Sequence, residues 1–350
     1  MHDGPTTTGD PSDDGAAEAI PAADHALMGE ALAAGASVRT STAPNPWIGA
    51  ALRTADGTVH VGATRPPGGD HAEIVALRAA GDAARGATLA TTLEPCSHTG
   101  RTGPCTEAIV EAGVARVLVG VEDPDQNVSG TGLERLREAG VDVVVGVRRA
   151  EVEEQLASYL HHRRTGRPYV VVKVAATLDG RTAAADGSSK WITSQEARAD
   201  SHRLRAESQA ILVGAGTVRA DDPRLTTRFV EGNDPRRVVL GTAPDGAAVH
   251  PCLQWRGELA ALLDELGGDG VLQLMVEGGS NTIAQFHAEG LVDRYVVYVA
   301  PALFGGDDSH AMFAGLGAPT IDALPRGRFA AVRRVGSDLR VELVLDQPPT

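Results

Sequence analysis

Four residues in the first half of the chain have the types and spacing of a zinc site beside an acid–base group. His71-Ala72-Glu73 stands at the start of a predicted helix, and Cys96 and Cys105 follow a predicted strand. One histidine and two cysteines form a tetrahedral zinc set that leaves the fourth position open to water. Zinc lowers the pKa of that water towards neutrality, and Glu73 can reach the water and shuttle its proton.

Other interpretations of these residues stay open. The zinc site could be closed rather than catalytic, or the two thiols could be unrelated buried side chains. His98 lies between the two cysteines and could also be a ligand, although we interpret it as a loop or substrate contact. We interpret Cys252 as structural.

A second group of chemically capable residues lies in the other half of the chain. The 32 basic residues include only two lysines, Lys173 and Lys190, and both fall in this group near Trp191. A position that keeps lysine in an arginine-rich chain can require a compact ammonium, although chance survival is the alternative. Further on, Glu277-Gly278-Gly279-Ser280 follows a predicted strand and opens a helix. Glycines there let backbone amides approach a phosphate, or they form only a tight turn.

Strands and helices alternate along the chain and predict mostly parallel sheets with helices on both faces. Asp56-Gly57 predicts a hairpin turn. The predicted strands cover residues 47–52, 58–63, 87–93, 116–121, 141–147, 169–175, 210–214, 236–240, 271–276, 293–300, 329–335 and 339–345. The predicted helices cover residues 25–36, 71–81, 104–112, 131–139, 151–162, 194–207, 258–266 and 281–289.

Length and charge limit the possible functions. A chain of 350 residues is long enough for about two domains, as expected from ~150 residues per domain. The 46 acidic against 32 basic residues give a net charge of −14, which disfavours nucleic-acid binding. No stretch is apolar enough to span a membrane, and the start of the chain lacks the features of a signal peptide. We therefore expect a cytoplasmic protein, and three cysteines favour thiol or metal chemistry over a disulfide framework.

Composition and breaks in the pattern divide the chain. We expect a disordered acidic tail over 1–24, a first domain over 25–150, a linker helix over 151–167 and a second domain over 168–346. The boundary is placed at Thr165-Gly166-Arg167-Pro168, which interrupts the pattern before the strand that begins at Tyr169.

The string from Thr92 to Cys105, with His71-Ala72-Glu73 and Pro44-Asn45-Pro46 upstream, resembles the bifunctional riboflavin-biosynthesis deaminase/reductase family. The resemblance implies a cytidine-deaminase-like αβα domain followed by a dihydrofolate-reductase-like α/β domain. It implies that the first domain removes the 2-amino group from a diaminopyrimidinone that carries a ribosylamino 5′-phosphate.

The resemblance also implies roles for individual residues of the first domain. It implies three zinc ligands: His71, Cys96 and Cys105. Glu73 would be the proton donor and acceptor, and Asn45 would lie near the pyrimidine. Arg101 and His98 would contact the substrate phosphate.

The strings of the second half resemble the reductase half of the same family, which uses NADPH to convert the ribosyl group into a ribityl chain. The implied NADPH contacts are Ala175, Trp191, Thr217, Asp221, Thr242, Gly279, Ser280, Asn281, Thr282, Ile283, Ala284 and Gln285. The implied substrate contacts are Ser189, Arg205, Leu225, Arg228 and Glu277. Lys173 would protonate or orient the reacting sugar, or it would pair with Asp179 as a structural lysine.

The chain departs from the family between the predicted strand 236–240 and the helix near 258. The family has a longer segment there, whereas this chain has only Gly241 to Gly257. One alternative is therefore a deaminase whose second domain is impaired or serves for oligomerisation. A deaminase of nucleic-acid bases is a further alternative, which the acidic charge and the long Cys–Cys spacing disfavour. We also expect a homo-oligomer.

Overall fold

The computed structural model describes residues 20–97, 103–125 and 129–346. These residues form two large sheets with helices packed against them. The helices are α1 (Ala22–Ser37), α2 (Ala72–Ala80), α3 (Cys105–Glu111), α4 (Thr131–Glu138), α5 (Arg149–Gln155), α6 (Ala157–Thr165), α7 (Gln195–Ala206), α8 (Ala215–Asp221), α9 (Leu259–Gly268) and α10 (Ser280–Ala288). The first strands are β1 (Gly49–Arg53), β2 (Val59–Ala63), β3 (Thr88–Leu93), β4 (Arg116–Val121), β5 (Asp142–Val145), β6 (Tyr169–Thr177) and β7 (Arg181–Ala183). The remaining strands are β8 (Ala210–Gly214), β9 (Arg236–Leu240), β10 (Leu253–Trp255), β11 (Gln273–Val276), β12 (Arg294–Ala300), β13 (His310–Ala311), β14 (Gly327–Val335) and β15 (Asp338–Leu345).

The first sheet has five strands in the order β2-β1-β3-β4-β5. The predicted hairpin is present, with Arg53 opposite Val59 and Asp56 accepting a hydrogen bond from the Thr58 amide. β3, β4 and β5 run parallel, and the chain leaves the carboxyl end of β3 towards Cys96. This sheet therefore presents one half of the predicted metal site at the edge where its parallel strands end.

The second sheet has eight strands in the order β10-β9-β8-β11-β6-β12-β15-β14, and β7 pairs separately with β13. The six strands from β10 to β12 run parallel, and β15 and β14 are antiparallel additions. The carboxyl ends of the parallel strands meet along one edge, where α/β sheets bind their ligands. None of the described helices combines the length and apolar character needed to cross a bilayer.

Two predictions at the ends of the first domain need correction. The acidic tail does not extend to residue 24, because α1 begins at Ala22 and Asp24 is buried. Arg53 and Arg116 contact the Asp24 carboxylate at 3.3 and 3.0 Å and compensate its burial. Residues 1–19 lie outside the described part of the chain.

The predicted linker helix over 151–167 is two helices, α5 and α6, that meet at the buried Leu156. Tyr159 and Leu160 of α6 pack in the same hydrophobic core as the first sheet. Gly166 ends α6 in the left-handed conformation at φ 74°, which favours glycine.

Contacts between the two halves of the chain join them into one packed unit. Leu272, which precedes β11, is buried within the hydrophobic core of the first half. His162 Nε2 lies 3.0 Å from the Gly267 carbonyl oxygen, and Arg39 pairs with Glu207 at 3.2 Å. These contacts fix helices of the first half against the second.

The close packing of α1 on β1 predicts a strong effect of one added methyl group. A Cβ atom at Gly49 would lie 1.8 Å from the Ala31 carbonyl oxygen, whereas a Cβ at Gly268 on α9 would meet nothing within 4 Å. We expect Gly49→Ala to lower the free energy of unfolding by about 3 kcal/mol. Gly268→Ala is the matched control, and urea denaturation of both variants measures the difference. Equal midpoints would contradict the packing described here.

Candidate active sites

The three predicted metal ligands converge at the start of two helices. His71 is the residue before α2, Cys105 is the first residue of α3, and Cys96 lies in the segment after β3. The donor atoms of the three side chains all lie within 4.8 Å of one another. His71 Nδ1 is 3.2 Å from Cys105 Sγ and 3.6 Å from Cys96 Sγ.

These separations fit a zinc ion. Nitrogen and sulfur ligands at the usual zinc distances and at tetrahedral angles lie about 3.6 Å apart. The Cys105 amide donates a hydrogen bond to Cys96 Sγ at 3.4 Å. Hydrogen bonding from the Cys105 thiol lowers the pKa of Cys96 below its usual value. Both contacts favour the thiolate form of Cys96, which is the form that binds a metal ion.

Glu73 lies beside this group but on the interior of α2. Only 4% of its surface is exposed, and burial raises the pKa of its carboxyl to about 7. The charge of His71 lowers the pKa of Glu73 and so opposes the effect of burial. The Cys105 side chain is within hydrogen-bonding range of the Glu73 carboxylate. A buried carboxyl group of this kind can accept and return a proton next to the metal group.

Glu94 is a structural part of the site that sequence reasoning did not single out, although it stands within the motif Glu94-Pro95-Cys96. Its buried carboxylate accepts hydrogen bonds from the amides of Asp123, Gly130 and Gly132, at 2.9 to 3.2 Å. Gly132 approaches the chain so closely that a Cβ there would lie 2.1 Å from the Pro95 carbonyl oxygen. Glu94 therefore fixes the segment that carries Cys96 against α4.

The other predicted residues of the first domain have mixed outcomes. Asn45 is half-buried in the turn before β1, where its backbone N–H donates a hydrogen bond to the Thr42 carbonyl oxygen at 2.9 Å. His98 and Arg101 lie outside the described residues. Cys252, predicted to be structural, is half-buried with its sulfur 3.5 Å from His250 Nδ1.

A cavity of about 530 Å³ opens at the carboxyl edge of the second sheet. Many of the residues implied by the family resemblance line it: Lys173, Ala175, Ser189, Trp191, Arg205, Thr217, Asp221, Leu225, Arg228, Glu277, Gly279, Ser280 and Ile283. They come from β6, α7, α8, α10, the segment after β11 and the loops between them. The fold therefore brings together strings that are far apart in sequence.

A buried ion pair stands at the centre of this cavity. Arg205 Nη2 lies 2.7 Å from Glu277 Oε1, and Arg205 Nη1 donates to the Thr226 carbonyl oxygen at 2.6 Å. Burial lowers the pKa of Lys173, and the Glu277 carboxylate opposes this effect. Asp179, the alternative partner of Lys173, instead accepts hydrogen bonds within its own turn and from the Gly305 amide. Lys173 thus faces the cavity group rather than the turn.

The pKa of Lys173 can be measured because the chain has only two lysines. We expect the Lys173 amine to titrate below 10.5, since burial disfavours the ammonium form. Glu277→Gln is expected to lower this pKa further, because the variant removes the charge that raises it. NMR of the protein with ¹³C-methylated lysines shows one signal for Lys173 and one for Lys190. The signal that disappears in Lys190→Arg belongs to Lys190, so the remaining lysine signal belongs to Lys173. A rise in the Lys173 pKa in Glu277→Gln would contradict this arrangement.

The glycine turn before α10 has the features of a phosphate cradle. The Gly279 amide donates to Thr217 Oγ1 at 3.2 Å, and a Cβ at Gly278 would lie 2.9 Å from Thr282 Cβ. Glycines let the backbone at the start of the nine-residue helix α10 come close to its surroundings. The Gly279 amide is held by Thr217, and the cavity beside the turn offers room for the phosphates of a dinucleotide cofactor.

Five implied cofactor residues do not line the cavity: Thr242, Asn281, Thr282, Ala284 and Gln285. Thr282 is buried against Gly214 and Gly278, which is a packing role, and Gln285 donates to the Asn281 carbonyl oxygen. Thr242 follows β9 and accepts a hydrogen bond from Arg256. Their positions are compatible with the far part of an elongated cofactor or with packing alone.

Sequence reasoning assigned no role in the cavity to several residues that line it, among them Lys190, Arg198, Asp222, Arg224 and Met312. The Arg198 guanidinium lies 4.5 Å from the centre of the Trp191 ring, and Lys190 pairs with Asp221 at 3.0 Å. Lys190 stands between Ser189 and Trp191, which the family resemblance implies as contacts, so adjacency to those residues was the available signal.

The folds and sites together define a two-domain enzyme that joins a zinc-dependent deaminase to a dinucleotide-dependent reductase. Family models match accordingly: "Cytidine and deoxycytidylate deaminase zinc-binding region" over residues 21–121, and "RibD C-terminal domain" over 168–341. The chain is 37% identical to riboflavin biosynthesis protein RibD of Escherichia coli, over 92% of this chain and 99% of that protein. It is 41% identical to RibD of Mycobacterium tuberculosis, over 91% of this chain and 96% of that protein.

Solved structures agree with this result. RibD of Acinetobacter baumannii superposes with a TM-score of 0.86 at 35% identity, over 93% of this chain and 99% of that one. A deaminase/reductase from Thermotoga maritima gives a TM-score of 0.82 at 31% identity, over 92% and 99% of the two chains. The chain belongs to the RibD family of bifunctional riboflavin-biosynthesis deaminase/reductases.

Membership in this family confirms the predicted fold class, the two enzyme activities and the use of Zn²⁺ and NADPH. Both halves of the chain match their relatives, so nothing supports the alternative of an impaired second domain. The short segment from Gly241 to Gly257 is accommodated by a three-residue edge strand, β10, which pairs with β9.

Proposed function

We propose that the first domain hydrolyses the 2-amino group of 2,5-diamino-6-(5-phosphoribosylamino)pyrimidin-4-one. The convergence of one imidazole and two thiols beside a buried carboxyl group carries this proposal. His71, Cys96 and Cys105 would hold the zinc ion, which when bound lowers the pKa of a water molecule. Glu73 then carries a proton from the attacking water to the departing amino group. Asn45 would orient the pyrimidine from the turn before β1.

We propose that the second domain reduces the ribosyl group of the deaminated product to a ribityl chain. NADPH supplies the hydride when it is bound, and the protein positions the two partners. Arg228 would hold the substrate phosphate through its guanidinium group. Arg205, whose guanidinium is engaged by Glu277 and the Thr226 carbonyl oxygen, would line the substrate side of the cavity. Lys173 would orient or protonate the sugar at C1′. Ser189, Leu225 and Glu277 would complete the substrate side of the cavity.

The cofactor would lie along the carboxyl edge of the second sheet. Its nicotinamide end would contact Ala175, Trp191 and Asp221, and its phosphates would face the turn at Gly279 and Thr217. Trp191 is exposed, with 69% of its surface accessible, and its ring contacts the Arg198 guanidinium and offers a flat apolar surface. The segment from Ser280 to Gln285, together with Thr242, would support the remaining part of the cofactor, its second nucleoside.

One experiment tests both activities on the full chain. Purified protein supplied with the diaminopyrimidinone phosphate is expected to release ammonia first and then to oxidise one equivalent of NADPH per ammonia. Metal analysis of wild-type protein and of His71→Ala should show zinc only in the former. Absence of ammonia release by zinc-loaded protein would refute the substrate, whereas ammonia release without NADPH oxidation would refute the second step.

We propose further that the chain forms a homo-oligomer through β14. This strand is the edge of the large sheet and exposes Phe329 and Val332, with 68% and 55% of their surfaces accessible. β14 is a nine-residue edge strand, and the unpaired backbone groups of such an edge favour pairing with a second copy. Sedimentation velocity should show at least a dimer, and Phe329→Glu should dissociate it. A monomeric wild-type protein would overturn this proposal.

The division of the chain and its location are also proposals. We place the boundary between the deaminase and reductase domains at residues 165–168, where α6 ends and β6 begins. We place the protein in the cytoplasm, because reduced thiols persist there as metal ligands.

A further inference from the structure

Arg256 and Thr242 stand together at the carboxyl edge of the second sheet. β9 ends at Leu240 and β10 ends at Trp255. The Gly241 amide donates a hydrogen bond to the Trp255 carbonyl oxygen at 2.7 Å, which joins the two strand exits. The residues that follow, Thr242 and Arg256, are therefore neighbours although 14 positions separate them.

The turn that carries Thr242 is held from several sides. Gly241 has φ 104°, which other residues rarely adopt, and a Cβ there would lie 3.0 Å from Ala215 Cβ. Gln254 Oε1 accepts a hydrogen bond from the Ala243 amide at 3.1 Å. The Arg256 guanidinium donates to Thr242 Oγ1 through Nη2. The guanidinium and the hydroxyl are thereby presented together on a fixed turn.

The Arg256 guanidinium has no acidic partner among the described residues. Its side chain is exposed, and across residues 20–97, 103–125 and 129–346 no carboxylate lies within ion-pairing distance of it. By contrast, Arg236 at the other end of β9 pairs with Asp269. An exposed, unpaired guanidinium beside a hydroxyl is suited to a phosphate group, which it can bind through two parallel hydrogen bonds.

The strand order relates this pair to the cavity. The Gly279 turn follows β11, which neighbours β8, and β9 and β10 come next along the same edge. β10 lies three strand spacings from β11, or about 14 Å. A dinucleotide held with its phosphates at Gly279 and its nicotinamide in the cavity would have its second nucleoside on the side of β9 and β10. An arginine near that ribose is the usual means of accommodating a 2′-phosphate.

We propose that Arg256 binds the 2′-phosphate of NADPH, with Thr242 as its partner, and so sets the preference for NADPH over NADH. The proposal rests on the cofactor placement proposed above. It assigns a cofactor contact to the segment from Gly241 to Gly257, which carries both residues.

Direct binding tests this role without relying on turnover. Isothermal titration calorimetry of the full chain is expected to show that Arg256→Gln raises the Kd for NADPH by about 10- to 100-fold, as the loss of a charge-assisted hydrogen bond predicts. The Kd for NADH should stay within about twofold, because NADH lacks the phosphate that the side chain binds. Arg256→Lys should retain part of the preference. Adenosine 2′-phosphate should compete with NADPH on the wild-type protein but not on Arg256→Gln.

The controls separate this proposal from the cofactor placement itself. Arg137→Gln removes an exposed arginine of α4 in the other domain and is expected to leave both Kd values unchanged. Equal losses for NADPH and NADH in Arg256→Gln, or no loss for either, would overturn the role of Arg256. Failure of the wild-type protein to bind either cofactor would instead refute the placement on which the inference rests.

Discussion

Glu73→Gln is expected to reduce the deaminase kcat by about 10²- to 10⁴-fold, the usual contribution of a positioned acid–base group. The substitution keeps the size of a side chain that is almost fully buried in α2, but it removes the ability to accept and return a proton. Zinc content should be unchanged, because the predicted ligands are His71, Cys96 and Cys105. Ammonia release at saturating substrate measures the effect.

The reductase activity of the same variant serves as an internal control. Since Glu73 lies in the first domain, oxidation of NADPH with the deaminated product as substrate should continue at the wild-type rate. Glu107→Gln on the exposed side of α3 is the matched control and should leave ammonia release intact. Ammonia release that survives Glu73→Gln would show that another group moves the proton.

Arg205→Ala is expected to abolish the reductase activity and to destabilise the second domain by about 3–5 kcal/mol, because it leaves a buried carboxylate with less compensation. Arg205 and Glu277 retain only 8% and 12% side-chain exposure, so water cannot replace the lost partner. Burial raises the pKa of Glu277, and the charges of Arg205 and Lys173 bring it below its usual value. Chemical denaturation and NADPH oxidation measure the two effects.

The double variant Arg205→Ala/Glu277→Ala distinguishes the ion pair from simple loss of packing. If the cost of the single variant comes from the uncompensated charge, removing Glu277 as well should recover part of the stability. The deaminase activity should persist in both variants. A single variant that unfolds at the wild-type denaturant concentration would show that the pair is not buried in solution.

The chemistry of the first domain could be predicted from the sequence because its side chains are of restricted types. Few patterns other than a metal site combine His71, Cys96 and Cys105 with a glutamate two residues after the histidine. The sequence spacing could not give the distances between the ligand atoms of these three side chains, because those distances depend on how β3 and α2 pack. Glu94 was missed because its role is to accept backbone hydrogen bonds from chain segments that are distant in sequence.

The fold was predictable where elements are long and regular, as in β6 and α7. Four short elements were not: β7, β10, β13 and α8. α8 follows Gly214 and contains Gly216, so its sequence looks like a loop, and packing of Val218 in the core stabilises the helix instead. β10 has three residues and exists because it pairs with the edge of β9. Asp24 was assigned to the tail because its arginine partners are far away in sequence.

The burial of Leu272 among side chains of the first half has a consequence for how such an enzyme can evolve. If a gene encoding this chain were split near residue 166, the first product would carry a vacancy where that leucyl group belongs, and the second would carry an uncovered apolar side chain. Fission into two independent enzymes would therefore require compensating substitutions on both new surfaces, which favours retention of the fused arrangement.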